Sequence, residues 1–299
     1  MNDPVKTILV VGATGSIGRL VVKVALAQRF IVRALVRDHG KAVRLPKAAE
    51  EVVGDVTRPE TLASAVDGVD VIVFTLGLDG AGKVGAENVD YAGVRNVLRA
   101  LGSRKVRIAL MTSIGVTDRT GSYNRGTEAH DWKWRSERLV RASGMPYTIV
   151  RPGRFDYNGP DEHRLVFVQG DTRQAGNSSD GVIERRQIAD VLVSSLTSDE
   201  ALRKTFELVA EKGPFPVNFD ALFAALDADA PGALDGVRDV RTSLWKTSRS
   251  GFETIWMQSS RTNPRIMTFL RVQRVVSLTG TGRIKLFHST RSHDLGTVF

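Results

Sequence analysis

Three glycines spaced three apart, straight after a short apolar run, constrain this chain more than any other feature. Residues 5–11 (VKTILVV) are rich in β-branched side chains and read as a buried strand. The turn GATGSIG (12–18) follows at once. From Ile17 to Gln28 the apolar residues Ile17, Leu20, Val21, Val24 and Ala25 recur at helical spacing, so the turn opens a helix. In such a strand–turn–helix unit Gly12 permits the tight turn, Gly15 lets the backbone approach a pyrophosphate, and Gly18 lets the helix pack closely on the sheet. The helix start offers unpaired N–H groups and a positive dipole end to the phosphates. Thr14, Ser16 and Ile17 complete the expected cofactor-binding turn.

The next 200 residues repeat the strand–helix rhythm. Strands are expected at 30–36, 51–53, 69–76, 106–111 and 146–151, and helices at 59–67, 86–101 and 128–143. The run VDVIVFTL (69–76) is continuously apolar, as in a strand covered on both faces of a parallel sheet. Further strands at 164–168 and 204–209 and helices at 187–196 and 217–226 close the pattern. This alternation predicts an α/β chain of Rossmann type, a doubly wound parallel sheet, with one domain over 1–235 that includes a small substrate-side part.

The end of the second strand bears on which dinucleotide is held. An NAD site places a carboxylate there for the ribose 2′-hydroxyl, whereas an NADP site places a cation for the 2′-phosphate. The segment reads IVRALVRD (31–38): Val36 fills the acid slot, Arg37 follows, and Lys41 is within reach of the same corner. A guanidinium suits a phosphate in charge and fork geometry. Were the strand to end one or two residues later, Asp38 would become the ribose ligand. The expectation is NADP(H) rather than NAD(H). Asp55 and Val56, after strand three, are placed for the adenine edge, and Thr75 and Gly77, after strand four, lie beside the cofactor.

A formal net charge of +9 suggests nucleic acid until its distribution is read. Residues 241–299 hold ten Lys/Arg against two Asp/Glu, leaving the preceding 240 residues at a net of +1. The core is nearly neutral, so nucleic acid is not its expected partner. The segment 236–299 reads as an irregular basic tail, and Ser or Thr fills seventeen of its last 59 positions. Three readings of it stay open: poor order, an arm for a polyanion or membrane surface, or a change of reading frame. The absence of cysteine excludes disulfides, thiolate metal sites and cysteine nucleophiles. With neither a signal-peptide pattern nor an apolar run long enough to span a bilayer, a cytoplasmic location is expected.

Taken together, GATGSIG (12–18), ALVRD (34–38), GDVT (54–57), VDYAGVRNVLRA (89–100), MTSIGV (111–116), KWRSERLVRASGMPYTIVRPG (133–153) and IERRQIADVLVSSL (183–196) resemble an atypical short-chain dehydrogenase/reductase of the NAD(P)H-binding, NmrA-like kind. The similarity runs from about residue 5 to 235. In the wider superfamily a Ser orients the carbonyl substrate, a Tyr is the general acid/base, and a Lys four residues later lowers the Tyr pKa and holds the nicotinamide ribose. On that pattern the resemblance implies Ser113 and Lys133 as catalytic residues, with Lys133 also holding the cofactor. The Tyr slot is Ala129. Tyr123 and Tyr157 would each need a loop to fold back, and His130 beside the slot reads as a solvated helix histidine. Arg151 reads either as a substrate anion ligand or as a structural ion pair.

The resemblance thus implies an NADP(H)-dependent oxidoreductase acting on a small flat or carbonyl-bearing compound such as a quinone or flavin. The alternative is a non-catalytic NADP(H)-sensing regulator that reports to a protein partner. An epimerase or dehydratase using transient oxidation would need the missing Tyr.

Overall fold

The computed structural model describes residues 5–77 and 82–239, the Lys41 side chain excepted; the remainder of the predicted tail, 240–299, lies outside them. The sheet has ten strands: β1 (Thr7–Val11), β2 (Ile31–Val36), β3 (Glu50–Val53), β4 (Val71–Phe74), β5 (Arg107–Met111), β6 (Tyr147–Pro152), β7 (Arg154–Phe155), β8 (Arg164–Val168), β9 (Val182–Ile183) and β10 (Lys204–Glu211). They run in the order β3-β2-β1-β4-β5-β6-β10-β9-β7, with β8 also paired to β10. Pairing is parallel from β3 through β10, while β8 and β9 join β10 antiparallel. The strand order steps away from β1 in both directions, toward β2 and toward β4, so β1 ends at a topological switch point.

The helices are α1 (Gly18–Ala27), α2 (Ala63–Val66), α3 (Gly82–Gly85), α4 (Ala92–Leu101), α5 (Ser122–Thr127), α6 (Ala129–Ala142), α7 (Arg185–Ser194) and α8 (Asp220–Ala224). Two cores cover the sheet. Ile8 and Val10 of β1 pack with Val21 of α1 and Ile188 of α7, while Leu9 and Val11 point to the other face, against Ala65 of α2, Val94 of α4 and Val140 of α6. A strand with both faces buried has no polar alternation, which is why its sequence reads as one apolar run.

The structure departs from the expected elements in three places. The helix expected at 59–67 breaks into a 3-10 turn (Pro59–Thr61) and α2. Thr61 Oγ1 donates to the Arg58 carbonyl at 2.7 Å, giving the backbone a local partner that competes with helix. The helix expected from 86 opens as a π-helical stretch, Ala86–Tyr91. The two-residue strands β7 and β9 and the helix α5 are too short to carry a legible period.

Beneath α6 lies a buried ion cluster. Arg151, fully buried on β6, donates through Nε and Nη2 to both Glu137 oxygens at 3.0 and 2.7 Å and makes two 2.7 Å bonds to Asp239. It also reaches Glu207 at 3.3 Å. Arg141 bonds Glu137 and Asp229 at 3.1 and 3.3 Å. Arg151 is therefore a structural ion pair, wholly engaged by carboxylates, and has no donor face left for a substrate anion. The Asp239 contact carries core packing past residue 235. Burial raises the Glu207 carboxyl to about 7, against the pull of Arg151 and helped by Asp171.

Removing one partner from a buried ion cluster leaves charge uncompensated, which costs about 3–5 kcal/mol. Glu137→Gln strips the carboxylate shared by Arg141 and Arg151. A large drop in the thermal unfolding midpoint is expected by calorimetry or circular dichroism, and an unchanged midpoint would refute the role given to this cluster.

Candidate functional site

The glycine turn closes between β1 and α1 by the Gly15 amide donating to the Gly12 carbonyl at 2.9 Å. Gly12 has φ +91°, and a Cβ there would sit 2.9 Å from the Thr75 carbonyl oxygen and Oγ1. A Cβ on Gly18 would stand 2.1 Å from the Gly12 carbonyl oxygen, so any side chain at 18 pushes the helix off the turn. Gly15 and Ser16 are exposed. Ile17, at the N-cap, makes no side-chain capping bond, and the first turn of α1 carries no acid. Among the described residues the Ser16, Ile17 and Gly18 amides at the helix start have no backbone acceptor, and they sit at a positive dipole end with no acid in the first turn. That donor set fits a phosphate group.

The other predicted residues divide by what their side chains already do. Ile17 is buried in the core, so only its backbone faces the turn. Ser16 Oγ accepts from Arg185 Nε at 3.1 Å, and the Thr14 carbonyl accepts from Arg19 at 3.1 Å. Thr75 Oγ1 lies 3.2 Å from the Val11 carbonyl, which turns its hydroxyl to bracing the glycine turn. Asp55 accepts from the Thr57 amide and hydroxyl at 2.9 and 2.8 Å. Burial pushes its carboxyl up, but those two bonds, with Arg58 and Arg37 nearby, hold it below the usual aspartate value. The Val56 side chain packs toward Gly93 of α4. Arg37 is exposed just past β2, and Asp38 Oδ1 lies 3.2 Å from where a Gly40 side chain would begin.

At the far end of the same sheet edge sit the two residues expected to be catalytic. Lys133 Nζ donates to Asp90 Oδ1 at 2.9 Å and stands 3.8 Å from where a Cβ on Gly77 would lie. Gly77 comes two residues after Thr75, which touches the glycine turn, so turn and lysine flank one stretch of chain. Ser113, past β5, has a buried Oγ with no hydrogen-bond partner among the described residues. A buried hydroxyl left unpaired costs free energy and marks a place where a ligand atom would be welcome.

Ala129, at the Tyr slot, is buried at the first position of α6. Tyr157 is 69% exposed and Tyr123 52%, so neither phenol is buried beside that slot. The solvated reading of His130 is corrected: its ring is part-buried, with Cε1 3.4 Å from where a Cβ on Gly115 would lie. Sequence reasoning passed over Asp90 and Asp171. Asp90 lies in the π-helical stretch and holds Lys133. Asp171 accepts from the Gly115 amide, the Thr117 amide and Thr117 Oγ1 at 2.6, 2.7 and 2.8 Å, pinning the loop after β5. Only the motif around residue 90 carried any signal; nothing near Asp171 did.

A switch-point cleft with a glycine cradle is the form of a dinucleotide-binding oxidoreductase-like protein. The family described as NAD(P)H-binding matches residues 12–199, and the chain belongs to it. Among curated relatives, the sanguinarine reductase of Eschscholzia californica is 26% identical over 261 residues, covering 73% of this chain and 95% of that protein. A putative NAD-dependent epimerase/dehydratase from Bacillus halodurans shares the fold with a TM-score of 0.60 at 20% identity, covering 73% of this chain and 99% of that one. A short-chain dehydrogenase/reductase from Veillonella parvula, solved in complex with NADP, superposes with a TM-score of 0.54 at 16% identity, covering 71% and 99%. Among the described residues no helix is long and apolar enough to cross a membrane.

Gly15→Ala separates the cradle from the fold. The new Cβ would lie 3.2 Å from the Gly12 carbonyl oxygen, a tight but adjustable contact, on the exposed side of the turn. Nicotinamide nucleotide affinity is expected to fall about tenfold, or ~1.4 kcal/mol, with a near-normal melting temperature. Equal affinities for wild type and variant in a fluorescence titration would remove the cradle from the site.

Proposed function

We propose that this chain is an NADPH-dependent reductase of small flat or carbonyl-bearing compounds, quinones and flavins among them. The observation that carries the reading is a placed ammonium and, on the same sheet edge, a buried hydroxyl with no partner among the described residues. Lys133 is fixed by buried Asp90 beside Gly77, and Ser113 Oγ is buried with no partner among the described residues. Bound along the glycine turn, a reduced nicotinamide nucleotide supplies hydride. Gly12, Thr14, Gly15, Ser16, Ile17 and Gly18 would line its phosphates, Asp55 and Val56 its adenine end, and Thr75, Gly77 and Lys133 its nicotinamide end. Ser113 donates to the substrate carbonyl and polarises it, and the Lys133 charge favours negative charge developing nearby.

NADP is favoured because β2 stops at Val36, which leaves Arg37 as the first residue past the strand and Asp38 one further on. The NADP complex of the Veillonella parvula relative agrees with that choice. Residues 1–235 make up the nucleotide-binding domain and 236–299 a basic tail whose first residues dock through Asp239. A cytoplasmic location and a small-molecule substrate, with no nucleic acid on the neutral core, complete the reading. The second reading, a sensor of the NADP(H) ratio, draws on Ala129, which leaves the usual proton donor absent.

Two measurements test this. NADPH oxidation followed at 340 nm over a panel of quinones, flavins and aldehydes is expected to show turnover; micromolar cofactor binding with no turnover on any of them favours the sensor. Arg37→Ala is expected to weaken NADP binding by about tenfold or more, the loss of one charge-assisted contact, and to leave NAD binding nearly unchanged. Equal weakening of both would overturn the assignment to NADP.

A further inference from the structure

The proton of the reduction needs a source, and Ala129 has none. One residue on, the same helix carries an imidazole whose surroundings are those of a placed group. His130 and Lys133 are three apart on α6, which sets them one turn apart on neighbouring positions of the helix surface. The His130 ring leans on the loop after β5, the loop that carries Ser113: its Cε1 is 3.4 Å from where a Cβ on Gly115 would lie. Gly115, with φ +76°, leaves the ring that room. Asp171 pins that loop, accepting from the amides of Gly115 and Thr117 at 2.6 and 2.7 Å. From α5 the Tyr123 ring covers His130 at a centroid distance of 5.0 Å.

The ring also has a defined polarity. His130 Nδ1 lies 3.4 Å from the Asp118 carbonyl, which can only accept. The tautomer that satisfies this contact keeps the hydrogen on Nδ1 and leaves Nε2 as the atom that gains and loses a proton. Among the described residues Nε2 has no hydrogen-bond partner.

We propose that His130 is the proton donor of the reductive reaction, acting through Nε2 where Ala129 offers no phenol, on carbonyl substrates whose oxygen must take up a proton. The inference rests on the reductase reading above. In the step, the carbonyl carbon takes hydride from the reduced nicotinamide nucleotide and forms the new C–H bond. The C=O π pair moves to oxygen, which takes the Nε2 proton, and the neutral imidazole is then reprotonated by water. Ketone or aldehyde, reduced nucleotide and one proton give alcohol and oxidised nucleotide.

The groups facing the ring set the pH response. Burial lowers the His130 pKa below the ordinary 6.5 and Lys133 lowers it further, while the Asp118 carbonyl bond and the Asp171 and Asp118 charges pull it up. A donor must be protonated, so carbonyl reduction by the wild type is expected to fall as pH rises through a value below 6.5.

His130→Asn keeps a donor at the Nδ1 position for the Asp118 carbonyl but cannot titrate. Its kcat on the best aldehyde of the panel is expected to drop about 100-fold, with the pH limb gone, while NADPH affinity by calorimetry stays within about twofold of wild type. In the wild type without substrate, the His130 Cε1–H resonance is expected to shift when NADP+ is added, with its titration midpoint displaced. That spectrum needs neither turnover nor a variant that folds. Unchanged kcat in His130→Asn, or a His130 resonance indifferent to NADP+, overturns the inference and leaves the reductase reading intact. A wild type that binds NADPH and turns over no carbonyl compound defeats the reductase reading for carbonyls and the inference with it.

Discussion

The contact on which the structure depends is between Gly18 and the Gly12 carbonyl. The first turn of α1 lies so close to the end of β1 that a Cβ at 18 would meet that oxygen at 2.1 Å. Only bare backbone permits the approach, and the approach points the helix start at the place where the strand order reverses. The fold supplies the rest of the site from the same edge. Thr75 at the end of β4 braces the turn through its hydroxyl, Gly77 follows beneath Lys133, and Ser113 emerges from β5. The glycine turn at one end and the positions of Lys133 and Ser113 at the other follow from strand order more than from any one side chain.

The α6 side of the sheet is braced by charge as well as by apolar packing. Glu137 lies on α6, the helix that also carries Ala129, His130 and Lys133, and its carboxylate is gripped by Arg151 of β6 and by Arg141. Glu137 also accepts from Thr112 Oγ1 at 2.7 Å, next to Ser113 in the chain. Helix, strand β6 and the loop after β5 therefore share one buried network. Such networks are expensive to desolvate and gain little net stability over an apolar core. Their value here is registry: they fix the height of α6 against the loop that faces it.

The sequence made the nucleotide half of the site readable because that half is backbone. Glycine spacing, an apolar strand and a helical period specify where amides will point without any knowledge of distant contacts. The extent of β2 was legible for the same reason, and with it the positions of Val36 and Arg37. The substrate half depends on pairs far apart in the chain, such as Lys133 with Asp90 and Gly115 with Asp171, and no local period encodes them. Arg151 shows the difference most plainly. Its place at the carboxyl edge of the sheet left a substrate ligand and a structural ion pair both open, and only its engagement with Glu137, Glu207 and Asp239 shows that its charge is spent inside. His130 was misjudged in the opposite sense, since burial by α5 and the post-β5 loop is a tertiary fact.

The central claim is that bare amides at the start of α1 hold the phosphates of a pyridine dinucleotide. Calorimetric titration of the purified chain with NADPH and, separately, NADH tests it most directly. Saturable one-to-one binding of NADPH, tighter than that of NADH, is the predicted result. Heat of dilution alone with both nucleotides would contradict the account at its base.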